Sequence, residues 1–219
     1  MTSKSRATGE LLFAFAAAIV HITVELFADG LRGAADDMGR PQHFVIAVAG
    51  IVLLSYLVAR AVRYPALLAE WGFRGYGFPG SLWLCLLFAV LTSPLLFWYG
   101  IVRGHWPLPD TFWMVAFLYP LYGLGQQFIL QVMVNRNLRF FVPAGGRRAV
   151  LAGTLFSLSH FPNVPIMILT FPVGVVFAMI YNRHRNLWAL GLAHGILGAL
   201  AYYLVLGKDP GAKLIALFT

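Results

Sequence analysis

Seven long apolar stretches separated by short polar connections run along the chain: 11–27, 43–59, 81–99, 112–134, 149–160, 166–181 and 187–206. A helix that crosses a bilayer needs about 20 mostly apolar residues, and most of these stretches approach that length. The stretch 149–160 is short, and Pro162 and Pro165 frame the turn after it. Proline ends a helix by removing a donor and clashing with the preceding turn. The segment 64–80, rich in Gly, Pro and aromatic residues, reads as an interfacial cytoplasmic loop. Its Trp71, Phe73, Tyr76 and Phe78 are expected at headgroup depth. The short apolar tail 213–219 has no assigned place. The pattern predicts an all-α fold, a polytopic helical membrane bundle of about seven to eight transmembrane helices. With no long linker, internal repeat or soluble segment, 1–219 reads as a single integral-membrane domain.

Composition agrees with this reading and narrows it. Of 219 residues, 60% are hydrophobic and only 11% charged, with a mean hydropathy of +0.77. A soluble domain carries about 25% charged residues, so this chain cannot cover a water-facing surface. Cys85 is the single cysteine, which excludes a disulfide scaffold. The net charge of +8 does not signal nucleic-acid binding, because the cations sit in short clusters between spans and not on one solvated face. Lys4, Arg6, Arg60, Arg63, Arg74, Arg136, Arg139, Arg147, Arg148, Arg183 and Arg185 fall on one side. Only Arg32, Arg40, Arg103, Lys208 and Lys213 fall on the other. The positive-inside rule then puts the N-terminus in the cytoplasm and, with seven spans, the C-terminus outside. An eighth span would move only the C-terminus. Lys4 and Arg6 before an apolar run mimic a signal peptide, but the run is long and more spans follow, so an uncleaved first helix is expected. The bilayer is one partner, and a bacterial inner membrane is the expected location.

Polar groups inside apolar spans are expensive and mark candidate sites. They are His21 with Glu25, the pair Gln126–Gln127 with Gln131, His160, and His194. Counting about 1.5 Å per residue from the cytoplasmic helix ends puts Gln126 and His194 each about 14 Å deep. The same count gives about 18 Å for His160 and about 17 Å for His21. Four helices thus bring polar groups to one layer. Each of these residues could also serve only as interhelical glue worth about 1 kcal/mol. Gln126 and Gln127 point about 100° apart, whereas Gln127 and Gln131 share a face. An amide has no proton equilibrium near neutral pH and cannot act as a base. A histidine can bind a metal, hold a water or polarise a carbonyl. Glu25 lies one turn after His21, with Asp29 continuing that face. It reads either as a hydrated carboxylate near the outer interface or as a His21–Glu25 pair reaching into the polar layer.

Three motifs follow in order: Gln126-Gln127-Phe-Ile-Leu-Gln131, Phe156-Ser-Leu-Ser-His160 and His194-Gly-Ile-Leu-Gly198. With the run from Ala149 through Ser157 to His160, the Phe171-x-x-Gly174 spacing and Leu187-Trp188 before the last span, this stretch resembles the CPBP intramembrane proteases. Those include the type II CAAX prenyl endopeptidases and the Abi proteins. The resemblance runs from about 122 to 200 and implies a CPBP-like core at about 111–206. In that family the motifs read Glu-Glu-x-x-x-Arg, Phe-x-x-x-His and His-x-x-x-Asn/Asp. The resemblance implies that a glutamate and the first histidine activate water, while the second histidine and the Asn/Asp hold the oxyanion. Carried over, His160 and His194 are retained. Gln126 and Gln127 replace both glutamates, Gln131 replaces the arginine, and Gly198 replaces the oxyanion donor.

Three readings stay open. One is an intramembrane peptidase acting on membrane-anchored or lipidated peptides, with catalytic candidates His160, His194, Gln126, Gln127 and a displaced base, Glu25. Another is a non-catalytic relative that binds or escorts a hydrophobic or lipidated peptide. In the last, His160 and His194 ligate haem or a divalent metal such as zinc, although hydrolytic zinc usually takes three protein ligands.

Overall fold

A computed structural model describes residues 4–30 and 41–216. The described residues form ten α-helices and no strand: α1 (Lys4–Gly30), α2 (Pro41–Arg63), α3 (Ala66–Trp71), α4 (Phe78–Val102), α5 (Thr111–Gln127), α6 (Arg136–Leu138), α7 (Gly145–Leu158), α8 (Val164–His184), α9 (Leu187–Leu200) and α10 (Pro210–Ile215). The fold is all-α, as the pattern predicted, and each of the seven apolar stretches lies mostly on helix. Among the described residues, Phe78–Val102, Val164–His184 and Leu187–Val205 are long and apolar enough to cross a membrane. On α4, Trp83, Val90, Leu91, Leu95, Trp98 and Val102 are exposed. So many large apolar side chains on one outward surface suit lipid and not water.

The structure corrects several local expectations. The stretch 112–134 is not one uniform α-helix: α5 stops at Gln127, and Phe128–Asn135 is π-helical. A second π-helical turn, Ala201–Val205, closes the last span. α7 ends at Leu158, so His160 lies in the turn beyond it and not on the helix. The 64–80 segment is not all loop, because it contains α3, and Trp71 is only 3% exposed. Its indole packs edge-on against Phe128, at 5.4 Å between ring centroids, which satisfies its apolar body inside the protein. Finally, the tail predicted without a place begins inside α10.

The chain divides into two compact units, Met1–Glu70 with Leu130–Ala178 and Trp71–Ile129 with Met179–Thr219. In the first, α7 and α8 meet where a Cβ on Gly153 would fall 2.9 Å from the Phe171 carbonyl oxygen. Leu130, Ala149, Ala152, Phe156 and Ala178 form the core around that contact. Asn163 caps α8 by accepting from the Ile166 amide at 3.2 Å. In the second unit, the 71–77 segment is tied to the α8–α9 turn. Tyr181 donates to the Trp71 carbonyl at 2.8 Å, and Arg74 donates to the carbonyls of His184 and Arg185. Gly72, at φ +102°, lies where a Cβ would strike the Arg185 carbonyl. Asn186 is fully buried; it donates to the Arg74 carbonyl at 2.6 Å and accepts from the Ala189 amide. That cap starts α9 and so sets where His194 stands.

Candidate functional site

In the second unit α5 and α9 approach each other closely because their contact is made of glycine. Gly191 and Gly195 are four apart on α9, the small-xxx-small spacing that brings membrane helices together. A Cβ on Gly123 would fall 2.8 Å from the Gly191 carbonyl oxygen, and one on Gly191 would fall 2.9 Å from the Leu124 Cα. Gly195 faces the backbone of Pro120. His194 lies inside this contact, 7% exposed. Its Nδ1 is 2.9 Å from Nε2 of the fully buried Gln127. The structure therefore brings together two of the residues the motifs single out.

The chemistry of that pair follows from the amide. Whichever way the Gln127 amide faces, His194 meets a neutral dipole: an NH₂ that donates, or an oxygen that accepts. A carboxylate at this position would bring a negative charge to the imidazole, and the amide does not. Gln126 points elsewhere, as the 100° step between neighbours requires, and donates to the Tyr122 hydroxyl at 3.2 Å. Tyr122 belongs to a group of three: the Tyr119 ring is 5.2 Å from that of Tyr122 and 5.6 Å from that of Tyr202. Tyr119 also occupies the position opposite Gly198, where a Cβ would fall 2.6 Å from its Cε1. The place of the family's oxyanion donor is thus taken by a phenol ring.

In the first unit His160 lies past the end of α7. Its ring packs edge-on against Phe156, at 4.8 Å between centroids, and its Nδ1 is 2.8 Å from the Phe156 carbonyl oxygen. A carbonyl only accepts, so Nδ1 carries the proton and, in the neutral ring, Nε2 holds the lone pair. Gln131, fully buried, accepts from the Asn135 amide at 2.9 Å. Asn135 in turn accepts from Arg148 Nε at 3.2 Å. The position that holds arginine in the family thus carries an amide, joined through Asn135 to an arginine from α7. Glu25 and His21 lie on α1, but their side chains are outside the described residues.

A hydrolytic zinc takes three protein ligands from His, Cys, Asp and Glu. The motif positions 126, 127 and 131 offer amides. Among the described residues no group of three or more such ligands comes together. The donor set of the described residues does not fit that metal.

Residues 108–200 match a family model described as Type II CAAX prenyl endopeptidase Rce1-like. The match supports membership in the CPBP family. No curated protein and no solved structure matches the chain. With its apolar helices, the chain is an integral membrane protein whose residues 108–200 are similar to that family. The matched segment holds α5 through α9 and all three motifs, and it begins just before Thr111.

Sequence reasoning singled out Gln127 and His194 but missed the tyrosines and the Asn135–Arg148 connection. Signals for both were present. Tyr119, Tyr122 and Gln126 are spaced three and four apart, which places them on one face of α5. Gly191-x-x-x-Gly195 brackets His194 and marks the helix contact.

Proposed function

We propose that this CAAX-protease-like protein binds the hydrophobic or lipidated segment of a membrane-anchored peptide and holds it without cleaving it. The single observation that carries the reading is the Gln127–His194 pair. Where a hydrolase of this family would place a carboxylate, a buried neutral amide faces the imidazole at 2.9 Å. Peptide hydrolysis needs a group that takes a proton from water, and removing one oxyanion donor alone costs about 10²–10³ in rate. Here both functions are altered, at Gln126 and Gln127 and at Gly198. What the locus retains is hydrogen-bonding capacity in an apolar setting: amides and phenols that suit a peptide carbonyl or amide.

A second reading has one observation in its favour. His160 is held by its Nδ1 against the Phe156 carbonyl at 2.8 Å, which orients the imidazole, and Glu25 would then serve as the displaced carboxylate of an intramembrane endopeptidase. One experiment separates the two. Purified protein in vesicles is given a fluorescent farnesylated tetrapeptide-ended substrate, with binding followed by anisotropy and cleavage by mass spectrometry. Saturable binding without product supports the proposal. Turnover that His160→Ala and Glu25→Gln both abolish would replace it with the peptidase reading.

The family match crosses both compact units without interruption, which supports treating 1–219 as one integral-membrane domain with its CPBP-like core at about 111–206. The distribution of Lys and Arg supports a cytoplasmic N-terminus.

A further inference from the structure

The first unit contains an open cavity of about 310 Å³, lined by Gly9, Glu10, Phe13, Val52, Tyr56 and Met133, with Arg6 at its edge. That volume lies at the lower end of small-ligand pockets, and the walls are almost entirely apolar. One end is different. There Glu10 is held by three donors: Arg60 at 3.0 Å, Asn137 Nδ2 at 2.6 Å, and the Tyr56 hydroxyl. Its carboxylate is therefore already neutralised by the protein. The contact of Glu10 with Asn137 and Arg60 gathers the start of α1, the end of α2 and α6 at this end. Lys4 and Arg6, Arg60 and Arg63, and Arg136 and Arg139 come with them. Lys4 Nζ, for example, lies 5.6 Å over the Phe141 ring just beyond α6. The second acid nearby, Glu70, is paired with Arg136 at 2.7 Å. These helix ends thus carry six cations against two acids, each acid paired with an arginine, and Arg6 lines the cavity itself.

We propose that this cavity is a binding site for an anionic phospholipid, with one acyl chain against Phe13, Val52 and Met133 and the phosphate at the cationic end. The charge decides the class. A zwitterionic lipid carries no net charge, whereas the excess of Lys and Arg on the helix ends beside the cavity attracts anionic headgroups at about 1 kcal/mol per cation. Positive-inside topology accounts for cations at helix ends. It does not account for an apolar recess between α1 and α2 that opens beside them. A Cβ on Gly9 would meet nothing within 4 Å, and Val52 is half exposed. Both positions can therefore take larger side chains without disturbing the fold.

The test uses the full chain in a mild detergent, titrated with phosphatidylglycerol, phosphatidylcholine or glycerol 3-phosphate. Bound lipid is counted by native mass spectrometry and stability is read from thermal unfolding. The expected result is one retained phosphatidylglycerol and a raised midpoint, with no such effect from phosphatidylcholine or from glycerol 3-phosphate. Val52→Trp and Gly9→Leu, which fill the cavity, should each weaken phosphatidylglycerol binding about ten-fold or more while unfolding at the lipid-free wild-type midpoint. Arg6→Ala should weaken it and make the residual binding less salt-sensitive. Equal retention of phosphatidylcholine, an equal effect of glycerol 3-phosphate, or wild-type affinity in both cavity-filling variants would overturn the proposal.

Discussion

The ring of Tyr119 stands where any residue larger than glycine at position 198 would place its Cβ, 2.6 Å from Cε1. Gly198 is therefore not simply a missing side chain one turn after His194. The phenol on the facing helix and the glycine fit each other, and reintroducing a donor at 198 requires the ring to leave.

A variant pair measures that fit. Gly198→Asn should lower stability by about 1–3 kcal/mol through overpacking, read from thermal or denaturant unfolding in detergent. Tyr119→Ala should also destabilise by loss of packing, but the double variant should lose less than the two singles together. Strict additivity would mean that the two positions do not compete for the same space.

The hydrogen bond between Gln127 and His194 predicts a coupling. Gln127→Leu keeps much of the side-chain volume and removes the amide, and His194→Leu does the same for the imidazole. Interhelical hydrogen bonds in membrane proteins average about 0.6–2 kcal/mol. The cycle Gln127→Leu, His194→Leu and double variant should return a coupling in that range and of favourable sign. A coupling near zero would show that the contact is incidental.

Much of this arrangement is legible in the order of residues alone. Apolar runs separated by polar turns locate the helices, because in a bilayer every span must satisfy its own backbone. Gln127 and His194 stand out as polar groups in apolar spans. The rest depends on contacts that local pattern does not encode. A run such as 128–134, apolar except for Gln131, has no polar stripe by which to tell a π-helical turn from an α-helical one. Trp71 is amphipathic, so its type suits an interface as well as a core, and only its packing on Phe128 decides. Tyr119 reaches Gly198 across 79 positions of sequence, and no periodicity links the two. His160 is legible as a residue but not in its setting, since the helix before it ends two residues early and its ring turns back to the Phe156 carbonyl.

A glycine inside the α5–α9 contact and one outside it predict opposite responses to one substitution. Gly195→Ala drives a methyl group into the Pro120 backbone, which has no rotamer to give way, so it should cost about 1–3 kcal/mol or prevent accumulation in the membrane. Gly125→Ala lies two residues after Gly123 on α5, with nothing within 4 Å of the new Cβ. It should be neutral or stabilising by about 0.5–1 kcal/mol, because alanine loses less backbone freedom in a helix. Expression and unfolding midpoints of the two variants side by side provide the check. Equal behaviour would refute close helix contact as the reason for these glycines.

The junction after the last span predicts a pH response whose sign can be worked out. Partial burial alone would raise the Asp209 carboxyl. Hydrogen bonds from the Ala212 amide, Thr111, Tyr203 and the Gly211 amide outweigh it and hold the group below its ordinary value. Ala212 N and the Tyr203 hydroxyl each lie 2.9 Å from Oδ1, and Thr111 Oγ1 lies 2.8 Å from Oδ2. These donors prefer the ionised carboxylate, so the folded state binds this proton less readily than the unfolded chain. The stabilisation is then fully present above the unfolded carboxyl value of about 3.9. It is lost as pH falls through the lower folded value. Asp209→Asn keeps the shape and an oxygen acceptor for the α10 cap but removes the charge. Its midpoint should lie below wild type at neutral pH, and the difference should shrink as pH falls below about 4. Thermal unfolding of both proteins in detergent between neutral and acid pH tests this. A constant gap across that range would show that charge at Asp209 contributes nothing and that the hydrogen bonds act only through shape.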